Sequence, residues 1–204
     1  MSDKRKVSAT DIEVLTSLEA VRRRPEMYVG RLEQGEGWLH ALNLALSWLH
    51  RQARSRCGER QSIAFTHADE ATGPFRFSWS APRLNASPFD ARKWSESLSR
   101  MTDDDGGPNL EGVGVLNALS AALTLAAETS EQGFEIRCAT EASIETAAPG
   151  APCRGPEAIT LRFRPGSGLA PHPPAPGMLR GYLLCFAHER PSVQLVVDPS
   201  LAAL

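Results

Sequence analysis

With 204 residues, 42% of them hydrophobic and 23% charged, the chain is long enough for one substantial core and short for two. A formal net charge of −2 and a pI near 6.2 argue against a domain-wide basic footprint for nucleic acid, leaving only local patches at Arg22, Arg23 and Arg24 and at Arg51, Arg54 and Arg56. Cys57, Cys138, Cys153 and Cys185 are scattered without a C-x-x-C pair, and no histidine pair has metal-ligand spacing, so free thiols in a reducing cytoplasm are expected and a metal site is not.

The charged start MSDKRKVSATD has no apolar stretch behind it, and no apolar run approaches the length of a membrane span; a soluble, unexported, cytoplasmic protein is the expectation. Thr10 or Asp11 is expected to cap a helix in which Ile12, Leu15, Leu18 and Val21 recur at helical spacing until Pro25. From Gly37 to Cys57 runs a long core helix, with His40, Asn43, Ser47, Arg51 and Arg54 as a polar stripe against Trp38, Leu42, Leu46 and Leu49. The alternating stretches QSIAFTH and FRFSWS, joined by ADEATGP, read as an antiparallel pair. SPFDARKWSESLSRM reads as a helix, followed by the loop TDDDGGPN. LEGVGVLNALSAALTLAAET reads as a glycine-marked turn into a short helix and then a strand. Three more strands are expected in GFEIRCAT, EAITLRFRP and PSVQLVVDP, with the loop GSGLAPHPPAPG and a helix around Met178 to His188 between the last two. The strands do not alternate strictly with crossover helices, so an α+β layered sandwich is expected over a doubly wound sheet.

The string IEVLTSLEAVRRRPEMYVG, the GEG before the long helix, LEGVGVLNALS and LRFRP, taken in order and spacing, resemble the N-terminal ATPase domain of the DNA gyrase B subunit and of topoisomerase IV. That domain belongs to an ATP-binding superfamily shared with heat-shock chaperones, histidine kinases and MutL. The resemblance spans nearly all of residues 1–204 as a single domain and ends where the family's transducer domain would begin. It implies a two-layer α+β sandwich, a mixed and mostly antiparallel sheet of about eight strands with helices on one face, and ATP held beneath a flexible lid. On this reading residues 1–10 are an N-terminal arm, 102–109 a short lid remnant and 166–177 a Pro/Gly-rich loop. The arm and the surface of Arg22, Arg24, Pro25, Met27 and Tyr28 are the implied interaction surface, since the family's arm crosses to a second subunit. Glu26 stands where the family usually has glycine.

The family's catalytic residues do not carry over. Its long helix bears a Glu that acts as general base and, one turn on, an Asn that holds Mg²⁺. Those positions fall on Leu44 and Trp48, or on Ala45 and Leu49 if the register shifts by one, and no carboxylate lies between Glu36 and Glu59. The place of the adenine-binding Asp and its glycines reads Ser80, Ala81 and Arg83, and that of the pocket threonine falls near Ile159. Only Gly112 and Gly114 persist as a residual phosphate loop opening a helix, a potential anion site. Glu111 and the run Asp103, Asp104 and Asp105 now bring carboxylates to that place. The burial of Leu44 and Trp48 is expected to close or shrink the pocket. The resemblance therefore implies a catalytically inactive, gyrase B-like interaction protein, with no cofactor and ATP/Mg²⁺ bound only weakly. It would form a homodimer or pair with a gyrase or topoisomerase IV subunit, without membrane binding and with DNA not indicated. The alternative is a relic that still holds a nucleotide or another anion at Gly112 and Gly114.

Overall fold

The structure, a computed structural model, describes residues 15–56, 61–67, 75–81, 91, 94–95, 98, 111–130, 133–139, 144–150, 157–169, 174–190 and 193–197. Helix α1 (Ser17–Arg23) starts later than its apolar spacing suggests, because Thr16 and Glu19 form a reciprocal capping box. The Glu19 N–H donates to Thr16 Oγ1 at 3.3 Å, and the Thr16 N–H donates to Glu19 Oε2 at 2.8 Å. The backbone bond from Thr16 holds the Glu19 carboxyl below its ordinary value. The expected caps Thr10 and Asp11, and the arm 1–10, lie outside the described residues. Pro25 ends α1, as expected, and its fixed φ also opens α2 (Glu26–Val29). A single 3₁₀ turn (Glu33–Gly35) then leads into α3 (Glu36–Arg56).

Strands β1 (Gln61–His67) and β2 (Phe75–Ala81) form the expected antiparallel pair, with Phe65 opposite Phe77. Helix α4 (Glu111–Ala118) leads into β3 (Ser120–Glu128), β4 (Gly133–Cys138), β5 (Ile144–Gly150) and β6 (Glu157–Pro165). Helix α5 (Pro176–His188) and β7 (Val193–Val197) follow. Among the described residues the sheet has seven strands, in the order β5-β4-β3-β6-β2-β1-β7. Every pairing is antiparallel except β1 with β7. Strand β5 escapes a reading of the sequence because IETAAPG has no large apolar alternation and carries a proline. An edge strand, paired on one side only, tolerates that residue. Residues Ala91, Trp94, Ser95 and Leu98 are helical, as expected of their segment; 102–109 lies outside the described residues. The Pro/Gly-rich loop expected over 166–177 yields its last two residues to α5, where Pro176 sits at the helix start.

Alternation divides the sheet into two faces. Phe75, Phe77, Trp79, Leu123, Leu125, Ala127, Phe134, Ile136, Ile159, Leu161 and Phe163 all point to the buried one. Helix α3 lies against that face through Trp38, whose ring centroid is 4.7 Å from that of Phe75 and 5.8 Å from that of Phe163. The Trp38 indole N–H donates to the Leu169 carbonyl at 2.7 Å, so the ring is buried without an orphaned donor. Burying a ring or a leucine of this kind contributes about 1.5–3 kcal/mol each, which makes this face the main source of stability. The buried Glu157 closes the turn after β3, accepting from the Ser130 N–H at 2.9 Å and the Ser130 hydroxyl at 2.8 Å.

Of the two cysteines described, Cys138 is buried in β4 and Cys185 is exposed on α5. Burial pushes the Cys138 thiol from its ordinary 9.0 up to about 11. The folded value is raised, so this contribution to stability is full below pH 9.0 and is lost as the pH rises toward about 11. Two results are expected. A thiol reagent modifies Cys185 in the native protein and Cys138 only with unfolding. The melting temperature falls across that alkaline window more steeply in the native sequence than in Cys138→Ala. Equal labelling of both thiols in the folded protein would contradict the assignment.

Candidate functional site

Leu44 and Trp48, where the resemblance would put a general base and a metal ligand, sit one turn apart on α3. Leu44 is half-buried, and Trp48 is fully buried. The Trp48 ring meets Trp94 edge-on at 5.7 Å, and Trp94 meets Phe134 of β4 at 5.4 Å, so an aromatic chain joins α3 to the sheet. Gly112 and Gly114 do not form a loop before a helix. Both lie within the first turn of α4, and both are buried. A Cβ added at Gly112 would stand 3.0 Å from the Leu44 carbonyl oxygen and 3.3 Å from Leu44 Cβ. The start of α4 thus rests directly on the turn of α3 that carries Leu44. Glycine is what permits so close an approach, and Gly112 acts here in helix packing.

Of the positions assigned to an adenine site, Ser80 and Ile159 point to opposite faces of the sheet. Ile159 is buried and pairs in register with Trp79, whereas Ser80 pairs with Ala158 on the opposite face. There its hydroxyl bonds the Ser62 hydroxyl at 2.8 Å. The side chain of Ala81, and Arg83 altogether, lie outside the described residues. The side-chain period of two decides this outcome, since one residue along β2 is the difference between core and open face. Trp79 occupies the inward place, and its indole nitrogen is buried without a hydrogen-bond partner among the described residues. Among the described residues there is no group of three or more metal-binding side chains.

The arginine string divides by residue. Arg22 turns inward, and its Nε–H donates to the Ala118 carbonyl at the end of α4 at 3.1 Å. A cation there satisfies a terminal carbonyl and complements the helix dipole. Arg24 is exposed, Pro25 is half-buried, and Tyr28 is half-buried against the core. Met27 is 72% exposed, the most exposed large apolar side chain described. Of the five residues expected to form an interaction surface, Arg24 and Met27 therefore present themselves outward, while Arg22 ties α1 to α4.

One polar cluster was not anticipated. Tyr182 of α5 donates its hydroxyl to Asn43 Oδ1 at 2.7 Å, and Ser47 donates to the same oxygen at 3.3 Å. Burial pushes the Tyr182 phenol well above its ordinary value. Asn43 and Ser47, read in the sequence as a solvated or loop-contacting stripe, instead anchor α5 on α3. A tyrosine at helical spacing in GYLLCFAH gives no hint of which distant amide it will meet.

No protein-family profile matches the chain. No curated protein matches it either. No helix among the described residues is long and apolar enough to cross a membrane.

Proposed function

We propose that the chain is a catalytically inactive, gyrase B-like pseudo-ATPase that acts through protein–protein contact, modulating a type II topoisomerase or pairing with a second copy of itself. One observation carries the reading. At the place where the resemblance puts a general base, a metal ligand and a phosphate loop, Trp48 is fully buried and Gly112 lies against the Leu44 carbonyl. An apolar, close-packed contact there has neither the carboxylate nor the room that a Mg²⁺-bound triphosphate needs. The family's two-layer arrangement, with about eight strands and helices on one face, belongs to the same proposal. The division of the sheet into a buried and an open face supports it. The part of the resemblance that stays at the surface is the α1–α2 corner with Arg24 and Met27, continuous in sequence with the arm. An exposed methionine beside arginine is the composition of a small docking anchor.

Two measurements test this. Added Mg-ATP should leave the melting temperature unchanged up to millimolar concentration, whereas a ligand at about a hundred times its Kd would stabilise by about 2.7 kcal/mol. A saturable shift at micromolar ATP would instead favour a residual nucleotide-binding relic. Removing residues 1–10, together with Met27→Glu, should abolish self-association in light scattering and any effect of the added protein on gyrase supercoiling. This deletion leaves the Thr16–Glu19 capping box intact. Unchanged association and supercoiling would end the interaction reading.

A further inference from the structure

The side of the sheet away from α3 carries a line of arginines. Register places Arg76 of β2 opposite Arg162 of β6, Arg162 opposite Thr124 of β3, and Thr124 opposite Arg137 of β4. Arg164 follows two residues along β6, and all four arginines are exposed. Arg137 is already paired with Glu135. Among the described residues Arg76, Arg162 and Arg164 have no carboxylate partner, and the Arg76 Nε–H donates only to the Ser78 hydroxyl at 3.1 Å. Arg76 and Arg162 are also direct cross-strand neighbours, with Cβ atoms about 4.5–5.5 Å apart. Like charges so placed destabilise a sheet unless an anion lies over them.

Three chemistries could supply that anion, and the surroundings choose among them. The described aromatic side chains of the sheet all point to the buried face, so the open face offers no stacking platform for single-stranded nucleic acid. The chain as a whole carries a net charge of −2, so a long phosphate backbone reaching beyond the three arginines would meet a surface without the excess of positive charge that duplex binding draws on. A short ligand carrying two or three carboxylates matches the patch in both charge and extent. Along β6, Arg162 and Arg164 stand about 6.6 Å apart, the distance between alternate side chains of an extended peptide.

We propose that this open sheet face, through Arg76, Arg162 and Arg164, binds an extended acidic segment of a partner protein bearing carboxylates at alternate positions. The segment runs along β6. One carboxylate is shared between Arg76 and Arg162, and the next on the same side meets Arg164. Guanidinium forks suit this task because two parallel N–H groups meet the two oxygens of one carboxylate. The site is independent of the α1–α2 corner and stands whether or not that corner has a partner.

The test uses the full chain and a fluorescent nine-residue peptide with glutamate at every second position and serine between. Anisotropy at low salt should show saturable binding that weakens steeply toward physiological ionic strength. Arg162→Gln with Arg164→Gln should weaken it by about tenfold or more, the loss expected for hydrogen bonds to a charged group. Arg76→Gln should weaken binding and also raise the melting temperature by about 1–3 °C, because it removes the like-charge pair. That second readout guards against a variant that merely misfolds. A peptide of the same composition in which no two glutamates stand two residues apart, with glutamate pairs separated by serine pairs, should bind more weakly. The proposal is overturned if the alternating peptide does not bind, if the arginine variants bind it unchanged, if the rearranged peptide without glutamates two apart binds as well, or if a DNA duplex of equal charge binds more tightly through the same arginines.

Discussion

Replacing Leu44 with glutamate and Trp48 with asparagine, the residues that the proposed gyrase-like resemblance would put on α3, should give a protein that is severely destabilised and still does not hydrolyse ATP. Trp48 has no exposed surface and holds Trp94, which in turn meets Phe134. Truncating a buried tryptophan typically costs about 3–5 kcal/mol, and a buried asparagine amide without partners adds about 1–3 kcal/mol more. Against a total stability of about 5–15 kcal/mol, the loss removes much of the folded population. Activity should stay absent, because Gly112 still rests on the Leu44 carbonyl and Ser80 and Ile159 still lie on opposite faces of the sheet. Urea unfolding and a coupled phosphate-release assay on the same preparation decide the matter. A well-folded double variant that turns over Mg-ATP would show that the space between α3 and α4 opens readily.

The second large effect is expected at Gly35→Ala. Gly35 has φ +81°, a region costly to residues with a Cβ, and a Cβ there would run into the backbone of Pro174. The left-handed backbone costs an alanine about 1–2 kcal/mol, and relieving overlap with a proline backbone costs about 1–3 kcal/mol more. The contact joins the turn before α3 to the segment before α5, so the loss should disturb how both helices sit on the sheet. Gly181→Ala provides the contrast. Gly181 lies inside α5 with nothing within 4 Å of an added Cβ, and alanine there should stabilise by about 0.5–1 kcal/mol. Thermal melts of the two variants should move in opposite directions. If Gly35→Ala melted like the native sequence, the close approach of Pro174 would be wrong.

What the sequence determined by itself is what depends on neighbours within one or two turns. Alternation in FRFSWS and LRFRP set strands with one apolar face, helical spacing set α3, and Pro25 ended α1. The absence of any carboxylate from α3 beyond Glu36 was equally legible, since it needs only one stretch of sequence. The arginines of the open face were legible in part, because they alternate with the buried residues of the same strands; their gathering into one line was not. Tertiary structure decided that line through the order of the strands, which sets Arg76 of β2 beside Arg162 of β6 across a long sequence separation. It also turned Arg22 inward onto Ala118, moved Gly112 from an expected loop into a helix–helix contact, and placed Ser80 and Ile159 on opposite faces. The physical reason is common to all of these. Propensity and periodicity are properties of short segments, whereas register, close approach and the partner of a buried donor exist only after distant segments have been packed together.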